Sequence, residues 1–125
     1  MTGSDGIAHG IPLDPDDVFQ AVSNSRRRQV ILSVDRSGDT TISAGDVAVE
    51  IAAQENIVDP SQVTSEQRTR VYISLIQGHL DTLDEIGAVD YDDRSKTIQP
   101  TAATEPLADH IRRITTACYK PDGDA

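Results

Sequence analysis

The feature that most constrains this chain is one long amphipathic segment followed directly by two short alternating ones. Apolar side chains recur at three- and four-residue steps in residues 65–86, as one buried helix face requires: Val71, Tyr72, Leu75, Ile76, Leu80, Leu83 and Ile86. Gly87 predicts the end of that helix. Residues 88–91 and 96–99 alternate around a turn at 92–95, a pattern typical of a β-hairpin. Because an isolated hairpin is unstable in water, we expect it to pack beside the helix.

Two shorter helical patterns precede this unit. Asp14 before Pro15 predicts the start of a first helix, whose apolar face is formed by Val18, Phe19 and Val22. Ser25 is the predicted cap of a second helix, which extends over about residues 26–35.

The remaining elements follow from the same signals. Residues 40–42 predict a very short strand, Ser43 caps a third helix, and residues 56–64 form a loop. Thr101 or Thr104 begins a final helix, whose apolar stripe consists of Leu107, Ile111 and Ile114.

This order of elements predicts a mainly α fold with a small β-hairpin. We expect a winged helix-turn-helix domain over residues 14–100 and an added C-terminal dimerisation helix over 101–120. Residues 1–13 read as a flexible N-terminal arm, and 121–125 as a disordered tail.

The charge balance favours a high-salt environment. The chain has 21 acidic residues, sixteen of them Asp, against 11 basic ones, and its net charge is −10. Such a surface resembles that of halophile proteins. Molar salt shortens the Debye length to about 3 Å, so the repulsion between the acidic side chains is screened there. One cysteine excludes an internal disulfide, and we predict neither a signal peptide nor a membrane span. We therefore expect a cytoplasmic protein.

The long helix and the hairpin carry the candidate DNA-binding residues. Hydrogen-bonding side chains lie opposite the apolar stripe, at Gln67, Arg70, Ser74 and Gln77. The predicted hairpin adds Arg94 in its turn and Lys96 directly after it, and both suit a wing that follows the minor groove but suit an ordinary solvated turn equally well.

Arg26, Arg27 and Arg28 form the only run of three basic residues in the chain. Contact with DNA phosphates is one role for such a run. Because Val30 and Ile31 follow at once, at least one of these arginines must turn toward neighbouring helices. We expect one or two of them to meet phosphate and the others to be structural.

Other chemistry has little support. Cys118 suits a small apolar position better than a redox sensor or an intersubunit disulfide. His9, His79 and His110 are scattered without metal-ligand spacing, and His79 suits packing. Phosphate-loop, nucleophile-elbow and zinc-protease motifs are missing from the sequence, so we expect no enzymatic activity, metal or cofactor.

Three segments resemble the haloarchaeal winged-helix regulators related to the ArsR and PadR groups: VFQAVSNSRRRQVILSV, ISAGDVAVEIAAQEN and VTSEQRTRVYISLIQGHLDTLDEIGAVDYD. The most specific run extends from Arg68 to Gly87. The resemblance implies a homodimer with the last helix at the interface, and DNA contact through the long helix and the wing. It also suggests a stress-responsive regulator.

These features together predict a homodimer that binds double-stranded DNA sequence-specifically and regulates transcription. Inorganic cations and anions are expected partners at the surface and at the DNA interface, where cations would bridge carboxylates and phosphates. The alternative is a winged-helix module that docks a protein partner without binding DNA, and the acidity of the chain favours this alternative.

Overall fold

The computed structural model describes residues 10–118. The elements, in chain order, are α1 (Pro15–Val22), α2 (Ser25–Arg36), β1 (Ile42–Ser43), α3 (Ala44–Asn56), a 3₁₀ turn (Pro60–Gln62), α4 (Ser65–Ser74), a π-helical turn (Leu75–His79), α5 (Leu80–Glu85), β2 (Val89–Asp92), β3 (Thr97–Pro100) and α6 (Thr104–Ala117). We call α4, the π turn and α5 together the long helix. The predicted mainly α fold with a hairpin is confirmed.

The hairpin belongs to a three-stranded antiparallel sheet in the order β1-β3-β2. Ile98 is fully buried at its centre, opposite Ile42 on one side and Tyr91 on the other. The backbone N–H of Ala44 donates to the carbonyl of Lys96 at 2.9 Å. The start of α3 is therefore hydrogen-bonded to the hairpin, and we call β2, β3 and their turn 93–96 the wing.

The π turn has a physical cause in the apolar pattern. Leu75 and Leu80 are both fully buried although they are five residues apart. In an α-helix that step would rotate Leu80 about 140° away from Leu75. The N–H of Leu80 instead donates to the carbonyl of Leu75, which is the i→i+5 bond of a π turn. The sequence pattern predicted one uninterrupted helix and missed this turn.

Of the caps predicted at Asp14, Ser25 and Ser43, only Ser43 makes a side-chain cap bond. Ser43 Oγ accepts from the N–H of Asp46 at 3.0 Å and caps α3 as expected. Ser25 does not cap α2. The Asn24 side chain takes that role by accepting from the N–H groups of Arg26 and Arg27. Asp14 precedes α1 without a side-chain cap bond.

The N-terminal region also departs from expectation. Phe19, predicted on the buried face of α1, is 65% exposed, whereas Val18 and Val22 pack against the core. Ile11 and Leu13, at the end of the predicted arm, also pack against the core. Residues 1–9 of that arm and the tail 121–125 lie outside the described residues.

Helix α6 corrects the predicted dimer interface. Leu107 and Ile111 are buried within the chain itself, because α6 packs against α2, so they are not open to a partner. Only Ile114 of the predicted stripe is exposed, at 39%. The helix begins at Thr104, whose hydroxyl donates to the carbonyl of Ala88 at 2.8 Å.

Over residues 10–118, every helix is too short or too polar to cross a membrane.

Two glycines in the long helix and at its end should respond oppositely to alanine. Gly87 has φ +86°, a left-handed conformation, so we expect Gly87→Ala to destabilise the fold by about 1–2 kcal/mol. A Cβ at Gly78, inside the π turn, would meet no atom within 4 Å. Gly78→Ala should therefore stabilise by about 0.4–1 kcal/mol through the unfolded chain. Thermal unfolding of both variants at one salt concentration checks this, and shifts of the same sign would contradict it.

His79 should make stability depend on pH. Arg27 Nε donates to His79 Nδ1 at 3.2 Å, so this nitrogen carries no proton. Burial, and then the charges of Arg27 and Arg26, lower the pKa of His79 below its ordinary value of 6.5. The unfolded chain therefore binds more protons just below pH 6.5, and the free energy of unfolding rises with pH through that window.

The variant His79→Gln tests this assignment, because the Gln amide oxygen can still accept from Arg27 but does not titrate. Denaturant unfolding at a series of pH values should show the pH slope in the wild type and its loss in the variant. An unchanged slope in the variant would contradict the assignment.

Candidate functional site

Gln67, one of the predicted DNA-binding residues, takes part in the cap at the start of α4. Thr64 Oγ1 accepts from the N–H of Gln67 at 3.1 Å, and Gln67 Oε1 accepts from the N–H of Thr64 at 3.0 Å. This reciprocal capping box occupies the Gln67 side-chain oxygen. We therefore assign Gln67 to the fold rather than to base recognition.

Ser74 also turns inward. Its Oγ accepts from Arg26 Nη1 at 2.9 Å and donates to the carbonyl of Val71 at 2.9 Å. Of the four predicted residues on the long helix, Arg70 and Gln77 are the exposed ones. The Arg70 side chain is 72% exposed, and its guanidinium lies 4.0 Å from Glu66.

The structure exposes further side chains on α4 that the sequence analysis did not select: Arg68, Thr69 and Ile73. Arg68 and Thr69 lie on the side of the helix that faces the wing. Arg68 and Thr69 precede Tyr72 by four and three residues, so the sequence indicated that the three side chains share one side of the helix. It did not show that the wing would pack on that side.

Arg26 joins three helices. Its guanidinium donates twice to the Glu55 carboxylate of α3, at 2.7 and 2.8 Å, and once to Ser74. The hydrogen bond with Glu55 raises the pKa of Arg26, so the pair stays ionised. Such bidentate geometry is the strongest arrangement of an arginine with a carboxylate.

The other two arginines of the basic run also have partners within the chain. Arg27 donates to His79 and to the carbonyl of Gln20, and Arg28 donates to the carbonyl of Val22 at 2.6 Å. All three side chains of the run are thus held in the fold. We assign them structural roles and not the phosphate contacts expected of one or two of them.

The wing turn is closed by its own charged residues. Lys96 has φ +59° and donates its backbone N–H to the carbonyl of Asp92 at 2.8 Å. Its Nζ lies 2.8 Å from Asp93 Oδ1, and Tyr91 donates its hydroxyl to the same oxygen at 3.3 Å. The hydrogen bond with Lys96 lowers the pKa of Asp93. Arg94 is exposed beside this pair.

A cavity of about 440 Å³ opens where α3, α4 and the wing meet. Its lining residues are Ser43 and Gly45 from the start of α3, Arg68, Thr69 and Tyr72 from α4, and Ser95 and Lys96 from the wing. We call it the junction cavity. Its side chains offer two cations and several hydroxyls but no carboxylate, so the cavity can hold a group that accepts hydrogen bonds.

Acidic residues gather at the opposite end of the long helix. Asp81, Asp84 and Glu85 are exposed on α5, and Asp84 accepts from the N–H of Tyr91 at 2.9 Å. Apart from Glu66 in the first turn of α4, charge is therefore sorted along the long helix, with the arginines on α4 and the acids on α5. Among residues 10–118 we find no group of three or more side chains able to hold a metal ion.

One protein family matches this chain, and its description is a domain of unknown function (DUF7344). The match covers residues 19–99, from α1 to β3, and so includes the long helix, the wing and the junction cavity. Neither the curated proteins nor the solved structures contain a match. Since the matched segment is more than half of the chain, the protein belongs to the DUF7344 family.

Proposed function

We propose that this protein is a transcription regulator that binds double-stranded DNA sequence-specifically, as a homodimer in a high-salt cytoplasm. One observation carries the proposal. Helix α4 lines one cavity together with the wing, which is hydrogen-bonded to the start of α3, and the exposed side chains of α4 include types that recognise bases. A helix of this kind next to a two-stranded wing is the geometry with which winged helix-turn-helix domains read a major groove.

The exposed face of α4 and the π turn supplies the readout. Arg70 can form two hydrogen bonds with a guanine edge, and Gln77 can do so with an adenine edge. Thr69 and Ile73 suit contact with a thymine methyl group. Residues 65–79 span about 22 Å at 1.5 Å per residue, enough to follow several base pairs.

The net charge of −10 does not oppose this proposal under high salt. At molar ionic strength the Debye length is about 3 Å, so distant acids such as those of α5 are screened from the DNA. Short-range contacts from Arg70, Arg94 and Lys96 then decide the binding.

A homodimer is supported by the end of α6. Beyond Ile111, the helix from Arg112 to Ala117 is exposed along its length and includes the apolar Ile114. Two copies that pair this segment around a two-fold axis would present two α4 helices to successive major grooves. Half-sites would then lie about 34–36 Å apart.

Selection from random duplex DNA in molar KCl tests the proposal. We expect enrichment of a two-fold symmetric motif with half-sites about 10 base pairs apart. Arg70→Gln should weaken binding to that motif by about 10-fold and relax one position in it. Arg36→Gln on α2 is the matched control, because it removes the same charge from an exposed arginine outside α4, the wing and the α6 segment. No enrichment, or equal effects of both substitutions, would contradict the proposal.

The dimer is tested separately by Ile114→Glu. If α6 pairs with its copy, two carboxylates meet at the axis. The dissociation constant of the dimer should then rise by about 10-fold or more. Ile57→Glu is the control, since Ile57 is 91% exposed in the loop after α3. Sedimentation velocity over a range of concentrations measures both, and a monomeric wild type would refute the homodimer.

A protein-docking module is the second candidate, and a specific observation favours it. Phe19 and Ile57 are large apolar side chains that the described part of the chain leaves uncovered. If the DNA selection fails while the protein remains folded and dimeric, a docking role for these surfaces becomes the better interpretation.

A further inference from the structure

The junction cavity holds positive charge that the fold does not use. In residues 10–118, carboxylates lie within 4.0 Å of Arg26, Arg36, Arg70 and Arg112, and backbone carbonyls accept from Arg27 and Arg28. Within the same range, Arg68 makes neither an ion pair nor a side-chain hydrogen bond. Arg94 and Arg113 are likewise without an ion pair in that range, but of these three arginines only Arg68 lines the junction cavity.

Arg68 lies beside the start of α3. Its Nη1 would be 3.7 Å from a Cβ at Gly45, an ordinary van der Waals distance, so the glycine leaves room for the guanidinium there. The same Cβ position is 3.9 Å from Ser43 Oγ. The guanidinium thus lines the cavity from one side, and its donors remain available to a ligand.

Lys96 lines the cavity from the wing side, where Asp93 competes for it. The Lys96 ammonium donates to Asp93 Oδ1 at 2.8 Å. Asp93 is not among the residues that line the cavity. An anion in the cavity would therefore have to draw Lys96 away from Asp93 or share it with Asp93.

We propose that the junction cavity binds one phosphate group through Arg68 and Lys96, and that Asp93 weakens this binding by competing for Lys96. In the complex with DNA, the phosphate is a backbone phosphodiester, and this identification rests on the proposed function. The phosphate positions the wing and α4 on the duplex but carries no sequence information. Arg68 is then a backbone-contacting residue, whereas Arg70 reads bases.

Inorganic phosphate is the first probe. Its titration at constant ionic strength, followed by amide NMR shifts of Gly45, Thr69 and Ser95, should show saturable binding. Arg68→Gln should weaken binding by about 10-fold, because it removes the charge-assisted hydrogen bonds. Asp93→Asn should strengthen it by about 3-fold, since Lys96 is released while the Asn oxygen can still accept from Tyr91. Arg70→Gln is the control on the same helix and should leave the affinity unchanged.

All three substitutions are at exposed side chains, and the thermal unfolding midpoint of each variant checks that it is folded. Opposite effects of Arg68→Gln and Asp93→Asn support the proposal. No saturable binding by the wild type, or the same loss in Arg68→Gln and Arg70→Gln, overturns it.

Duplex DNA is the second probe, and it separates this proposal from the proposed function. Arg68→Gln should lower affinity for all sequences by a similar factor and keep the selected motif, whereas Arg70→Gln changes the motif. Binding of DNA with no effect of Arg68→Gln overturns the phosphate site and leaves the regulator intact. Saturable, Arg68-dependent binding of inorganic phosphate without any DNA binding supports the cavity as an anion site and overturns its assignment to a DNA phosphodiester.

Discussion

Leu75 and Leu80 must both be buried although five residues separate them, and the surface of the long helix depends on this constraint. The π turn meets it by adding one residue between two helical halves that each bury a regular stripe. On the N-terminal half, which buries Val71 and Leu75, the side chains of Arg70, Ile73 and Gln77 are exposed and Ser74 turns toward α2. The same turn ends at His79, which accepts a hydrogen bond from Arg27. Burial of the two leucines thus sets how the two halves of the long helix are rotated relative to each other.

The wing is placed by backbone hydrogen bonds and by acids that the chain has in excess. The N–H of Ala44 donates to the wing at Lys96, and Asp84 of α5 accepts from the N–H of Tyr91 in β2. The wing therefore has one attachment at the start of α3 and another at the end of the long helix. Asp84 adds to the negative charge that repels DNA, but it also helps to hold the wing that forms part of the candidate site.

Local patterns predicted most elements of this fold, because helical periodicity and capping depend on residues that are close together in the sequence. Ser43 and Gly87 were correctly placed at helix ends for that reason. The sequence did not show which elements pack against each other. Leu107 and Ile111 looked available to a partner because nothing in the sequence showed that α6 packs on α2. At the site, the exposure of Arg70 and Gln77 was predictable from helix geometry. The partners of Gln67 and Ser74, and the placement of Arg68 against α3, depend on contacts between elements.

The acidity of the chain makes the exceptions to ion pairing informative. With 21 acids in the chain, carboxylates pair with several of its arginines, as Glu55 does with Arg26. High salt screens the net charge over distances beyond about 3 Å, so binding must come from groups that touch the ligand. A surface that keeps Arg68 unpaired at the meeting point of α3, α4 and the wing is then attractive to an anion at short range. Affinity for a polyanion can therefore reside in a protein of net charge −10, provided that a few of its cations converge on one cavity, as Arg68 and Lys96 do.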